Sequence, residues 1–161
     1  RRMGADVVVE DTTPEGATEP FGDVTVRPSP LVGVEVGEDE VPRLIDELPL
    51  IAALGAVAEG HTRITGAAEL RGKESDRIRA MVTNFRALGV ETEELSDGLV
   101  VVGTDGALSG WVRSWDDHRI AMAFGVLDAL PRHEIEVDRP GVADVSFPGF
   151  HALLDELSAG S

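Results

Sequence analysis

Cysteine and tyrosine are absent from this 161-residue chain, and lysine occurs once. Without cysteine there is no disulfide framework and no thiolate metal site. The four histidines are scattered without ligand spacing, so no metal is assigned. No uncharged apolar run reaches the roughly 18 residues that a membrane-spanning helix needs. No charged-then-apolar leader opens the chain, and a soluble cytoplasmic protein is expected. Three common chemical signatures are also missing: the GxGxxG dinucleotide loop, the Walker lysine loop and the GxSxG elbow.

Positive charge is scarce. Thirty acids stand against fourteen bases, a formal charge of -16, which argues against nucleic acid or an anionic membrane as partner. Disorder does not follow from this acidity, because 42% of the residues are hydrophobic and fall in periodic runs. Thirteen of the fourteen bases are arginine. An acidic, nearly lysine-free chain is expected of a protein kept soluble in high salt, where screening removes self-repulsion, as in a halophilic archaeon. A GC-rich genome would also favour arginine, but it leaves the net charge unexplained. Against this background the one lysine, Lys73, needs a reason: either a functional contact or a solvated helix start.

What is present is ordered. Arg1 to Ala5 reads as a helix tail closed by Gly4, as though the chain began inside a longer one. Strands follow at 6–10, 23–27 and 31–36, separated by a proline- and glycine-rich loop over 11–22. An apolar helix is expected over 44–59, ended by Gly60, and a strand over 61–66. Ile78, Met81, Val82, Phe85 and Leu88 recur at helical spacing, which predicts an amphipathic helix over 74–88 with Gly89 as its cap. Residues 90–95 and 99–102 read as a hairpin turned by Ser96-Asp97-Gly98. A second apolar helix is expected over 118–130, a strand over 134–137 and a final helix over 148–157.

A repeat runs through this pattern. Asp46 and the apolar helix after it are matched 71 residues later by Asp117 and another apolar helix, and the strand from His61 is matched by the segment from His133. Ser75 and Ser146 keep the same spacing. The expected architecture is an α/β (α+β) domain of repeated βαββαβ units, with apolar helices buried behind mixed sheets.

The unusual residues gather at helix starts: Asp46, the run from Lys73 to Arg77, and Asp116-Asp117-His118-Arg119. A helix start carries unpaired N–H groups and favours anions, and Arg77 and Arg119 add forked donors suited to phosphate or carboxylate. Asp46 and Glu74 beside them are carboxylates available for proton transfer. Each also has a plain reading: Asp46 as a first-turn acid, Glu74 and Asp76 as complements of a helix dipole, His118 as a structural histidine. Spacing alone stops at an anion-binding α/β domain.

Four blocks go further. Asp46-Glu-Leu-Pro-Leu-Ile-Ala, Leu70-Arg-Gly-Lys-Glu-Ser-Asp-Arg-Ile, Asp117-His-Arg-Ile-Ala-Met-Ala and Ser146-Phe-Pro-Gly-Phe, in this order, resemble the C-terminal half of the EPSP synthase family. The resemblance extends from about Met3 to Leu157. It implies a two-domain enzyme whose cleft transfers the enolpyruvyl group of phosphoenolpyruvate to the 5-hydroxyl of shikimate 3-phosphate, releasing phosphate without a cofactor. Residues 1–161 would then be a single domain, with an N-terminal domain of the same enzyme as its partner. On its own such a domain is expected to be inactive.

The resemblance also implies roles. Asp46 matches the acid on the shikimate hydroxyl, Lys73 a shikimate contact, and Glu74 the group that moves a proton at the methylene carbon. Arg77 and Arg119, with His118 beside them, match the grip on phosphoenolpyruvate. Val145 departs from the lysine that many members carry there, which puts one phosphoenolpyruvate contact and glyphosate binding in question. Gly72 replaces a more usual valine. The alternatives are the related transferase acting on UDP-N-acetylglucosamine and an isolated anion-binding domain without catalysis.

Overall fold

Valine-rich segments form the first elements of the computed structural model, which describes residues 1–159. Asp6–Asp11 (β1) pairs antiparallel with Gly22–Arg27 (β2), setting Val9 opposite Val24 and Val7 opposite Val26. Arg1 to Gly4 form a turn, closed by the Gly4 N–H on the Arg1 carbonyl, where a helix tail was expected. Gly4 has φ +84°, so the glycine is required although no helix precedes it.

A complete unit follows. It runs through Glu35–Val36 (β3), Val41–Leu44 (α1), Leu48–Ala56 (α2), His61–Ile64 (β4), a 3₁₀ turn at Ala68–Gly72, Arg77–Ala87 (α3), Thr92–Leu95 (β5) and Gly98–Val102 (β6). The sheet order is β3-β4-β6-β5, with β3 and β4 parallel and the other pairings antiparallel. The second unit holds Ser109–Val112 (β7), His118–Asp128 (α4), Glu134–Val137 (β8), a 3₁₀ turn at Pro140–Val145 and Phe150–Ala159 (α5), with β7 parallel to β8. Both units therefore share one order: parallel strand pair around an apolar helix, 3₁₀ turn, second helix.

The mixed α+β class agrees with the sequence reading, but the order inside the unit is βαβαββ rather than βαββαβ. Helix α3 lies between β4 and the β5–β6 hairpin, so the two hairpin strands close the unit. Boundaries differ for local reasons too. The expected helix over 44–59 is broken into α1 and α2, because Pro49 has no N–H and its ring would clash with the Ile45 carbonyl in a continuous helix. Helix α3 begins at Arg77 because Asp76 caps it, accepting from the Arg79 N–H at 3.0 Å. Lys73, Glu74 and Ser75 consequently lie before the helix, not in its first turn.

The core lies where α2 and α3 meet the four-stranded sheet and α4 packs against both helices and β8. Ile78, Met81, Val82, Phe85 and Leu88, the expected stripe, are all buried, and the Phe85 and Phe124 rings sit 5.1 Å apart. Each such large side chain contributes roughly 1.5–3 kcal/mol by burial. Gly55 lets α2 approach β4: a Cβ there would stand 2.6 Å from the Thr62 Cβ. Packing this close brings the starts of three helices to one end of the core.

Candidate active site

Arg77 is the first residue of α3, and its side chain is 1% exposed. Burying a guanidinium is costly unless every face is paired, and here three carboxylates pair it. Its Nε donates to Asp117 Oδ2 at 2.8 Å, Nη1 to Asp46 Oδ1 at 2.9 Å and Nη2 to Glu74 Oε2 at 2.7 Å. These acids come from the turn before α2, the segment before α3 and the cap of α4. Asp117 is fully buried, whereas the Asp46 and Glu74 side chains are about half exposed, at 47% and 50%.

Asp117 accepts two further hydrogen bonds. Oδ1 accepts from the Arg119 N–H at 2.9 Å, which caps α4, and Oδ2 also accepts from Ser75 Oγ at 3.0 Å. Burial alone would push its carboxyl up, but the Arg77 hydrogen bond and charge, with Ser75 and the Arg119 N–H, hold it below the ordinary carboxylate range. The Asp46 carboxyl is lowered first by its hydrogen bond from Arg77, against partial burial, with Lys73 and Arg119 adding to the lowering.

Leading into Asp117, Trp115 and Asp116 both adopt the left-handed region, at φ 57° and 55°. Two such residues in sequence cost energy and need external support. Arg113 supplies part of it, with its guanidinium 5.6 Å from the Trp111 ring and 5.7 Å from the Trp115 ring. Asp116 pairs with Arg139 at 2.5 Å, and the Asp117 N–H reaches the Ser114 carbonyl at 3.0 Å.

Arg119 opens outward from the next turn. Its Nη1 donates to Glu47 Oε2 at 2.9 Å, while its buried Nε has no hydrogen-bond partner among the described residues. An unpaired buried donor on a cation costs free energy that an anionic ligand nearby could recover by drawing the guanidinium round. A cleft of about 260 Å³ lies beside it, lined by Asp46, Glu47, Leu50, Arg119, Met122 and Phe147 among others. Glu74 lines a separate cleft of about 390 Å³ with Ser75, Arg79 and Trp115. Lys73 pairs with Glu69 at 2.9 Å, which raises its ammonium above the ordinary lysine value, with Asp46 adding to the rise. His118 is the first residue of α4 and is partly buried. Val145 is 78% exposed, directly before Ser146 and Phe147 at the first cleft.

Of the residues singled out from the sequence, Asp46 and Glu74 meet at Arg77, and Lys73 and Arg119 act on Asp46, but Glu74 opens on a different cleft from Asp46 and Arg119. Arg77, however, lies beneath the surface, tied to carboxylates, and Arg119 is the more open of the two arginines, at 29% against 1% exposed. Sequence reasoning placed Asp117 and Ser75 at these helix starts but gave them no role, and it gave none to Glu47. The 71-residue repeat held the signal for Asp117, since it makes Asp117 the counterpart of Asp46. Among the described residues, no group of three metal-ligating side chains is assembled.

Known proteins match nearly the whole chain. The family described as EPSP synthase (3-phosphoshikimate 1-carboxyvinyltransferase) matches over residues 1–154. A 3-phosphoshikimate 1-carboxyvinyltransferase of Salinibacter ruber is 48% identical over 97% of this chain, and one of Aquifex aeolicus is 47% identical over 92%. The solved EPSP synthase of Acinetobacter baumannii superposes on 96% of this chain with a TM-score of 0.85 and 36% identity. The chain spans 36%, 34% and 36% of those three proteins, respectively.

Proposed function

The chain belongs to the EPSP synthase family, and on that premise we propose that it supplies one side of the active site of an enolpyruvyl transferase. The full-length protein transfers the enolpyruvyl group of phosphoenolpyruvate to the 5-hydroxyl of shikimate 3-phosphate and releases phosphate. A second domain, contributed by the rest of the protein, closes the site, and the setting is cytoplasmic. The observation that carries this reading is the single buried guanidinium of Arg77 holding the two half-exposed carboxylates of Asp46 and Glu74.

The chemistry needs two proton-handling groups. A proton must reach the methylene carbon of phosphoenolpyruvate, so that its central carbon becomes cationic and is captured by the hydroxyl. The same methyl group must later lose a proton as phosphate departs, restoring the double bond. Glu74 suits the first and last steps, serving as acid and then base. Asp46, lowered by Arg77, remains a carboxylate near neutral pH and accepts the hydroxyl proton. Arg119, with its unpaired Nε, and His118 meet the donor's phosphate or carboxylate, with the buried charge of Arg77 behind them. Lys73 exchanges Glu69 for the shikimate moiety.

The test is product formation by the full-length protein from phosphoenolpyruvate and shikimate 3-phosphate, with phosphate released in equal amount. Residues 1–161 alone should be inactive. Absence of product from the full-length protein, or product only with UDP-N-acetylglucosamine as acceptor, overturns the assignment.

A further inference from the structure

The two aspartates related by the repeat bond the same arginine but differ in exposure. Asp46 stands half exposed at a cleft, whereas Asp117 is buried behind the guanidinium. We propose that Asp117 is a positioning residue for the transfer, setting the orientation of Arg77 and the charge that Arg77 presents to Asp46 and Glu74. The proposal rests on the assignment of Asp46 and Glu74 as the proton-handling pair.

Orientation comes first. A guanidinium is a planar fork, and fixing Nε fixes the directions of Nη1 and Nη2. Asp117 Oδ2 holds Nε at 2.8 Å and is itself held by Ser75 Oγ at 3.0 Å. Its other oxygen is pinned by the Arg119 N–H, so the carboxylate cannot rotate without losing the cap of α4. One buried side chain therefore ties together the start of α3, the segment carrying Glu74 and the helix carrying Arg119.

Charge comes second. Asp117 is the only one of the three carboxylates out of water, so its charge opposes that of Arg77 with the least screening. Without that charge, Arg77 would act more strongly on Asp46 and make it a weaker base. The other charges facing this group are Lys73 and Arg119 toward Asp46, with Glu69 and Glu47 paired to them, and none of these contacts involves the Asp117 carboxylate's charge. A role confined to capping α4 would leave the proton affinity of Asp46 untouched.

The experiment uses the full-length protein and the variant Asp117→Asn, with folding checked by circular dichroism. The expected result is a fall in kcat of about thirtyfold or more, KM for both substrates within about threefold, and an acid limb of the kcat profile moved to lower pH. Carbon-13 titration of the Asp46 carboxyl in parent and variant should show the same downward move, and it needs no activity. An inactive parent would defeat the assigned reaction, whereas a parent-like Asp46 titration in a folded variant would defeat the positioning role. A folded variant with parental kcat, or with only KM raised, would defeat it equally. Should Asp117→Asn not fold, Ser75→Ala removes one bond to the same oxygen and keeps the charge. It should lower kcat about three- to tenfold with the pH profile unmoved, and parental kcat there overturns the proposal.

Discussion

Lys73 and Glu69 are ion-paired at 2.9 Å across the end of the first 3₁₀ turn, and Glu69 is the more exposed partner. The only lysine of the chain is thus held by an acid that water can replace, beside Asp46 rather than out on the surface. An ammonium is a compact donor, and a planar guanidinium fork would crowd a site already holding Arg77 and Arg119. Lys73→Arg in the full-length protein is expected to lower kcat/KM about tenfold to a hundredfold. Steady-state kinetics decide it, and parental values would return Lys73 to a surface role.

Glu74 lies before α3, where no helix cap depends on its side chain, because Asp76 performs that task. Glu74→Gln should therefore leave the fold intact while lowering turnover about a hundredfold or more. Near-parental turnover, measured by phosphate release, would remove Glu74 from the chemistry.

Glu47 competes with any anion for Arg119, which it holds at 2.9 Å. Both side chains reach solvent, so the pair itself adds little stability. Glu47→Gln should shift the thermal midpoint by less than about 2 °C while changing KM for phosphoenolpyruvate by about threefold or more. An unchanged KM would place the donor anion away from Arg119.

Asp117 also predicts an acid response. Its folded pKa lies below that of an unfolded aspartate, about 3.9. The stability it contributes is therefore fully present above about pH 4 and is lost as pH falls through the folded value. Asp117→Asn should cost about 3 kcal/mol at pH 7, since Arg77 loses its buried counter-charge. Its thermal midpoint should fall less steeply than the parent's between about pH 4 and pH 2. Parallel curves would show that Asp117 does not carry the difference.

Salt should matter for a different reason. At a formal charge of -16, self-repulsion grows as the Debye length rises from roughly 3 Å near 1 M salt to about 30 Å near 0.01 M. The thermal midpoint should fall across that range. A flat midpoint would assign the arginine bias to genome composition.

Local rules account for what was legible in the sequence. The alternation and helical spacing that predicted the Ser96-Asp97 hairpin and the stripe from Ile78 to Leu88 act between near neighbours, and both are present. The aspartates that cap α3 and α4 obey equally local chemistry. Even the break before α2 was readable in principle, since Pro49 excludes a continuous helix over a single turn.

The site's inner wiring was not legible, because burial is a property of the packed whole. Sequence spacing alone determined that acids and arginines stand at helix starts, and that Asp46 and Asp117 are counterparts. It could not say that Arg77 would face inward and Arg119 outward, for both open helices in similar surroundings. Only the packing of α2, α3 and α4 decided that, bringing residues 31 and 40 positions apart within hydrogen-bond distance of one guanidinium. Once Arg77 was out of water, its charge required carboxylates on every side, and tertiary structure selected which acid was buried as a counter-charge and which two were left half exposed.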